Sequence, residues 1–500
     1  MKKIISIISV FLVLMMLLPS CDIFVPDETT KEQECTVHQW SEYKHNGYVH
    51  WREYTCGCPW PEIVEEHFNN DGDLLCDICG FEMVEAKYDD NAVALAGEKM
   101  NVTYNDSIDE GYRAFLEKLN VFSAKLTAKI YERFGSGENI SVSPISVYMA
   151  LALVCECSDG ETRNEVLRAV GVTYEEVNKY TKYLYAFCNQ EHYAWNEQNE
   201  KMLSGYELLT NSIWLDDSVA FKNAGIEKLS KDYNCDVFQT DFGTDSAKEA
   251  IKSYINEKTK GLIDGNLPLD PYTAFVLLNT FYLNDAWSDL GDDLSFTKEE
   301  YAFENSDGTT VNKNLLMGYY SLGRAHNFGD YSVFYAQTSN GYRIHFLVPN
   351  SDNSVDVIFT QANIENVLSV NDWGGYDYEN MVCYNTRVFF PEFEADFGEI
   401  INDVMIEDFE IATLFDETAC NMNNVTDTQV FCSAIVHKSK LKVDKTGIEG
   451  AAITAAIMAG EAVDPFTYEY NDFVVDKAFA FILTDRYGTV LFSGAVNSIK

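Results

Sequence analysis

The sequence predicts an α+β fold. Three observations carry that reading. Apolar residues recur at helical spacing from Tyr112 to Phe134, and Asn139 to Ser146 then starts an apolar helix through Val154. Further along, β-rich runs alternate with polar turns, and helices early with strands late suit an α+β layout. The third observation is Val443 to Glu461, VDKTGIEGAAITAAIMAGE, whose composition suits neither a surface loop nor an ordinary helix.

Taken from its start, the chain opens on a targeting segment, 1–20: Lys2 and Lys3, an apolar run from Ile4 to Leu18, then small residues before Cys21. The run is shorter than the roughly 20 residues that span a bilayer. Leu18-Pro19-Ser20-Cys21 resembles a lipoprotein cleavage site, which implies lipidation of Cys21 and a mature protein that is exported, tethered to a membrane at the cell surface or extracellular. Residues 21–83 form a Cys/His-rich module with Cys35, His38, Cys56, Cys58, His67, Cys76 and Cys79. Two-residue spacing brings such donors to one side of a turn, where a structural zinc would sit. Export favours disulfides instead, and both readings stand at this point. Residues 84–107 are polar and acidic and read as a linker.

Residues 108–500 are long enough for one large domain. After the first helix, Asn139 to Ser146 leads into an apolar helix that Asp159-Gly160 ends. Tyr206 to Leu215 and Cys235 to Phe242 read as strands bracketing a helix, and Ala274 to Leu283 as a strand too hydrophobic to be exposed. Strands are then expected over Tyr331–Gln337, Tyr342–Val348, Cys383–Phe390, Val430–Val443, Ala478–Leu483 and Val490–Val496. The later Cys residues lie mostly inside apolar runs and read as buried thiols, with a Cys420–Cys432 pair as the alternative.

From Gly447 to Gly460 the only charge is Glu449. At period two, one face carries Ile448, Gly450, Ala452, Thr454, Ala456 and Met458, all small or apolar, while Glu449 falls on the other. A strand entering a sheet with one side against a core needs that pattern; the alternative is an Ala-rich helix. The stretch resembles the reactive-loop hinge of the serpins, the serine protease inhibitor family: Gly447, Glu449, Ala451, Ala452 and Thr454 match its pattern, whereas Ile448, Gly450 and Ile453 depart from it. Further segments resemble the family in the same order. They are Asn139 to Ser146 with Gly160 and Thr162, Ile251 to Ile263 with Tyr254 in place of a Trp, and Asn279 to Trp287 with Asn284-Asp285 in place of Lys-Gly. Val388 to Phe397, Val436 to Lys438 and Ile482 to Val496 complete the set.

The resemblance implies an α+β serpin-like fold with a large central sheet, surrounding helices and a mobile reactive loop, in a metastable inhibitor that traps serine or cysteine proteases as an acyl-enzyme when the cut loop inserts into the sheet. It implies a polar cluster at Ser143, Ser146, Asn279 and His437 where strands part, and a role for Trp287 at the mouth of the opening. The implied attacked bond is Glu461–Ala462, with Gly460, Ala462 or Val463 as alternatives for the attacked residue. Glu461 suits a Glu-directed protease, whereas Met458, Ala459 and Ala462 suit an elastase-like or subtilisin-like one. The other reading is a serpin-fold binding or structural protein that no longer inhibits. No hydrolase motif of its own is visible, and inhibition calls for no cofactor. The charge of −43 argues against nucleic acid and against activation by glycosaminoglycans, and a monomer is expected.

Overall fold

The computed structural model describes residues 44–45, 49–52, 63–66, 93–95, 109–195, 201–267, 273–288, 294–320, 324–351, 353–370, 373, 376–377, 382–448 and 467–500. The chain divides into two units, Met1–Glu85 and Ala86–Lys500. In the first, β1 (Lys44–His45), β2 (Val49–Arg52) and β3 (Ile63–Glu66) form an antiparallel sheet in that order. The leader, Cys21 and the seven expected Cys and His ligands lie outside the described residues.

The second unit begins with β4 (Val93–Ala94), so the stretch read as a linker contributes a short strand. Helix α1 (Glu110–Phe134) starts where the Asp109 side chain accepts from Tyr112 N at 2.7 Å, and it buries Phe115, Leu119, Phe122, Leu126 and Ile130 along one stripe. After β5 (Ile140–Val142) comes α2 (Pro144–Cys157), with Pro144 at its first position, where a missing N–H costs nothing. Being apolar nearly all round, α2 is buried nearly all round. Helix α3 (Gly160–Val170) follows, and a Thr173–Glu176 capping box opens α4 (Tyr174–Phe187). Next come β6 (Glu191–Trp195), β7 (Lys201–Asp216), α5 (Asn223–Tyr233), β8 (Cys235–Thr240), α6 (Asp245–Lys258) and β9 (Phe275–Ala286).

The second half is mainly strand: β10 (Ser295–Phe296), β11 (Tyr301–Glu304), β12 (Thr310–Lys313), β13 (Leu316–Tyr320), β14 (Ala325–Asn327), β15 (Tyr331–Gln337) and β16 (Arg343–Pro349). Helix α7 (Gln361–Leu368) interrupts the series before β17 (Tyr376–Asp377), β18 (Val382–Phe390), β19 (Phe393–Ile400), β20 (Val436–Val443) and β21 (Gly447–Ile448). The chain ends with β22 (Thr467–Val474), β23 (Phe479–Thr484) and β24 (Val490–Val496).

The largest sheet runs β19-β20-β21-β9-β7-β8-β4, with β6 also paired to β7. A second runs β14-β15-β16-β23-β24-β5, and a third runs β10-β13-β18-β17 with β22 parallel to β18. Helix α2 packs against β9 and β24, and its Ile145, Met149 and Leu153 are buried in the main core with Phe281, Leu283 and Phe492. Helix α6 packs against β9 too, placing Ile251, Tyr254 and Ile255 in a separate cluster with Trp214 and Phe238, whose rings stack at 4.3 Å. With helices against it in two clusters, β9 reads as a nearly continuous apolar run. Tyr254, standing where the family pattern has Trp, is fully enclosed and donates its hydroxyl to Asp236 Oδ2 at 2.8 Å.

One expected strand is shorter than its sequence suggests. The β-rich run from Val430 becomes a ladder only at Val436, because its earlier backbone groups bond elsewhere. Cys432 N donates to Leu414 O, Ile435 N to Asn402 Oδ1, and Ile435 O accepts from Ile401 N, all at 2.8–3.0 Å. Cys420 and Cys432 do not form a pair; both are buried free thiols.

Strand β24 crosses β5 so closely at Gly494 that a Cβ there would lie 1.8 Å from Ile140 O. The obstacle is backbone held in the β5–β24 ladder, not the end of a flexible side chain, and cannot swing aside. Gly494→Ala is therefore expected to destabilise the domain by about 3 kcal/mol, read as a lower thermal midpoint, while Gly398→Ala, whose Cβ would meet nothing nearer than 3.9 Å, shifts the midpoint far less.

Candidate functional site

Strands β9 and β20 flank β21 in the large sheet; among the described residues neither bonds to the other, and the two-residue β21 joins them at one end only. Ile448 pairs with Val443 of β20 and with Asp285 of β9, and Gly447 pairs with Ala286. A Cβ on Gly447 would meet Asp285 O at 2.2 Å and Ala286 Cα at 2.8 Å, so only glycine lets the chain in this tightly. Ile448 is wholly buried and fixes which face of any continuing strand turns inward.

A tight turn delivers the chain to this point. Asp444 N donates to Gly447 O at 3.0 Å and Gly447 N to Asp444 O at 3.3 Å, while the Asp444 carboxylate accepts from Thr446 N at 2.8 Å. Trp287, just past β9, donates its indole N–H to Asp444 O at 2.9 Å and its backbone N–H to Thr446 O at 3.3 Å. The large ring thus ties the end of β9 to the turn that precedes β21.

Two buried carboxyls lie beside this mouth. Asp285 accepts from Asn340 N at 3.1 Å and from its Nδ2 at 2.7 Å; Glu207 pairs with His192 Nε2 at 2.8 Å and accepts from the Tyr342 hydroxyl. Burial raises the pKa of both. From sequence, Asn284-Asp285 is visible only as a departure from a pattern. A charge inside an apolar strand run is the available signal that the site needs buried partners.

Beneath the middle of the unpaired interval, Ser146, Asn279 and His437 line one cavity of about 20 Å³ together with Leu277, Ile435 and the α2 residues Val147, Ala150 and Val154. Ser143 N donates to His437 Nε2 at 3.0 Å, and the Ser143 and Ser146 hydroxyls are 3.1 Å apart. The start of α2 is thereby fastened to β20, which also sends Ser439 Oγ to Ser141 O at 2.5 Å. Asn279 bonds toward the other side, donating to Thr210 O at 2.8 Å and Asn211 Oδ1 at 2.7 Å on β7. Its Oδ1 is buried with no partner among the described residues. The four polar residues therefore form two separate sets, one attached to each bank of the interval. Thr210 and Asn211 belong to the β9 set, and sequence does not distinguish them, since only the β7–β9 register brings them to Asn279. The reactive-loop residues Glu449, Gly450, Ala451, Ala452, Thr454, Glu461 and Ala462 lie outside the described residues, as do Gly460 and Val463.

The bond from Ser143 requires a neutral His437 ring, and burial holds its pKa down at about 4 from 6.5. A histidine whose folded pKa is depressed contributes stability that is full above pH 6.5 and lost as pH falls toward 4. Asp285 and Glu207 carry raised values and oppose that trend. A comparison isolates the histidine: the thermal midpoint of wild type minus that of His437→Gln should shrink from pH 7 to pH 4, by the equivalent of about 3 kcal/mol at most.

The serpin family model, described as "Serpin (serine protease inhibitor)", matches residues 117–499. Iripin-1 of Ixodes ricinus is 24% identical over 375 residues, which cover 72% of this chain and 89% of that protein. The thermophilic serpin tengpin in its native state superposes with a TM-score of 0.67 at 20% identity, over 82% of this chain and 100% of that one. Thyroxine-binding globulin, solved in complex with thyroxine, gives a TM-score of 0.62 at 18% identity over 77% and 99% of the two chains. The α+β architecture with its parted sheet is therefore the serpin fold, and a family model spanning most of the sequence establishes that this chain belongs to the serpin family.

Proposed function

We propose that this serpin is an inhibitor that traps a target protease covalently, by letting its cleaved loop enter the large sheet between β20 and β9. The observation that carries this reading is the missing ladder between those strands, already opened at one end by Gly447 and Ile448. If the chain continued in the register of β21, residues 449–458 would run antiparallel to Asn284–Phe275 of β9, and 449–455 to Lys442–Val436 of β20. Residue 454 would then come between Asn279 and His437, on the inner face that Ile448 sets. Its threonine hydroxyl is a donor suited to the orphaned Asn279 Oδ1.

A protease attacking Glu461–Ala462 forms an acyl-enzyme that water ordinarily resolves. Insertion of the freed strand adds about ten ladder hydrogen bonds at roughly 1 kcal/mol each, on the order of 10 kcal/mol before side-chain burial. That release is available to carry the attached enzyme away and distort its catalytic groups, and it requires the uncut state to be held by a kinetic barrier. The target is an elastase-like, subtilisin-like or Glu-directed protease, and the inhibitor acts as a monomer, without glycosaminoglycan. Export and lipidation at Cys21 would display it at the cell surface; the Cys/His module of residues 21–83, folded on zinc or on disulfides, would stand between anchor and inhibitor.

The second reading, a serpin-fold binding protein, draws on the fold shared with thyroxine-binding globulin. The inward face of the loop separates the two readings. Thr454→Arg would press an unpaired charge against the apolar side of α2 at a cost of several kcal/mol, so this variant should be cleaved yet release its protease. Glu449→Arg, on the outward face, should still form a denaturant-stable complex visible on a gel. Mass spectrometry of the released peptide should begin at Ala462. A wild type that yields only cleaved product with every protease tried, and gains no thermal stability on cleavage, belongs to the second reading. The anchor has its own test: the mature protein should partition into detergent, Cys21→Ala should be released or left unprocessed, and equal partitioning of both forms would remove the anchor.

A further inference from the structure

The large sheet and the second sheet meet at the mouth of the interval, and two buried carboxyls help to join them there. Asp285, fully buried at the end of β9, accepts from Asn340 N at 3.1 Å and Asn340 Nδ2 at 2.7 Å in the turn between β15 and β16. One strand over, Glu207 of β7 accepts from the Tyr342 hydroxyl of the same turn and lies 2.8 Å from His192 Nε2 on β6. Backbone bonds complete the joint: Ser339 N donates to Ala286 O at 2.8 Å, and Ser288 N to Gln337 O at 3.1 Å. Gly205, opposite Asp285 on β7, makes the room, since a Cβ there would come within 2.7 Å of Asp285 Oδ1 and 3.0 Å of Asn340 Nδ2. Neutral side chains could make the same bonds without burying charge. What the carboxyls add is a place for protons.

Among the described residues, the charged and titratable groups facing this pair are His192 on β6, Tyr342 in the β15–β16 turn and Arg486 in the β23–β24 turn. The Cys188 thiol after α4 and Asp485 lie next beyond. Burial favours the neutral form of both carboxyls, so the closed joint holds protons that a wetted one gives up. The closed state therefore gains stability as pH falls toward the ordinary carboxylate range and loses it as pH rises through the raised values. His437 works in the opposite sense, because its depressed value favours a parted sheet in acid.

We infer that Asp285 and Glu207 form a proton-operated latch between the two sheets, closed when protonated, which sets how readily the mouth opens for an entering strand. Strand β20 is fastened to β5 of the second sheet through Ser439 Oγ and Ser141 O, 2.5 Å apart. Parting β20 from β9 thus shifts the end of β9 over the 338–342 turn and lets water reach both carboxyls. Control of strand entry rests on the reading of this chain as a trapping inhibitor; the latch itself rests on the joint.

The experiment follows amide exchange by mass spectrometry in residues 281–288 and 336–342, corrected for the intrinsic pH dependence of exchange, at about pH 5 and about pH 7.5. Wild type is compared with Glu207→Gln and with the Asp285→Asn/Glu207→Gln double variant, whose amides cannot ionise. The ratio of wild-type to double-variant exchange should rise about tenfold from the lower to the higher pH, and the ratio to Glu207→Gln about threefold; His437 is common to all three and cancels. Glu207→Gln keeps an oxygen for the Tyr342 hydroxyl and carries the test alone if the double variant does not fold. A ratio that stays constant with pH, or falls, overturns the latch. The same proteins are then mixed with a subtilisin-like protease, and denaturant-stable complex is compared with cleaved product on a gel. Wild type should form more complex than the variants at the higher pH and converge with them in acid. Equal yields throughout, beside a pH-dependent exchange ratio, would overturn the latch's control of strand entry. A pH-dependent exchange ratio with no complex from any form keeps the latch and removes the trapping reading, whereas complex without that dependence removes the latch and keeps the trap.

Discussion

Among the described residues, Gly447 and Ile448 alone join the halves of the large sheet. On one side β20 keeps its full ladder with β19; on the other β9 keeps its ladder with β7, and each half is complete without its neighbour. Among the described residues no ladder runs directly between the halves, and a strand filling the interval would have the facing edges of β9 and β20 to pair with at once. The rest of the domain holds this unfinished arrangement still. Helix α2 lies beneath it, Trp287 pins the turn at its mouth, and Ser143 binds His437 on the β20 side.

The inner face of the sheet is apolar except where the halves meet. There the side chains of Asn211, which donates to the Tyr233 carbonyl at 2.8 Å, and of Asn279, 2.7 Å from it, interrupt a core that could have been built from leucine and valine. Buried polar groups are ordinarily satisfied in full, so an acceptor left without a donor marks a place where packing yields to another demand. Asp285 and Glu207 show the same conflict at the mouth, each carboxyl withdrawn from solvent against a specific partner.

Much of this is legible in the sequence because the signals are local. The stripe of α1 and the apolar α2 declare their environments directly, and Tyr331–Gln337 and Val490–Val496 are strands with the expected limits. The features that sequence misses depend on partners distant in the chain. Val430 to Ile435 has strand composition, but the turns at residues 401–414 compete successfully for its backbone. Residues 93 and 94 sit in a polar, acidic stretch that reads as linker, and only the exposed edge of β8 makes them a strand. The hinge pattern marks the segment beyond β21 from residue type alone, while the division of the polar cluster into two sets requires the β7–β9 register.

The buried cysteines carry a chemical consequence. Cys155, Cys157, Cys188, Cys420 and Cys432 are free thiols, and burial suppresses their thiolates, raising Cys155 and Cys432 to about 12 and Cys420 to about 11. A cross-link over the interval would weld the halves together, and among the described residues these cysteines form none. In an oxidising compartment that leaves reactive sulfur guarded only by packing. Cys155 and Cys157 ride on α2, the helix beneath the opening, so each excursion that lifts α2 exposes them to oxidant. Oxidation of either thiol would therefore record that the packing around α2 had once come open.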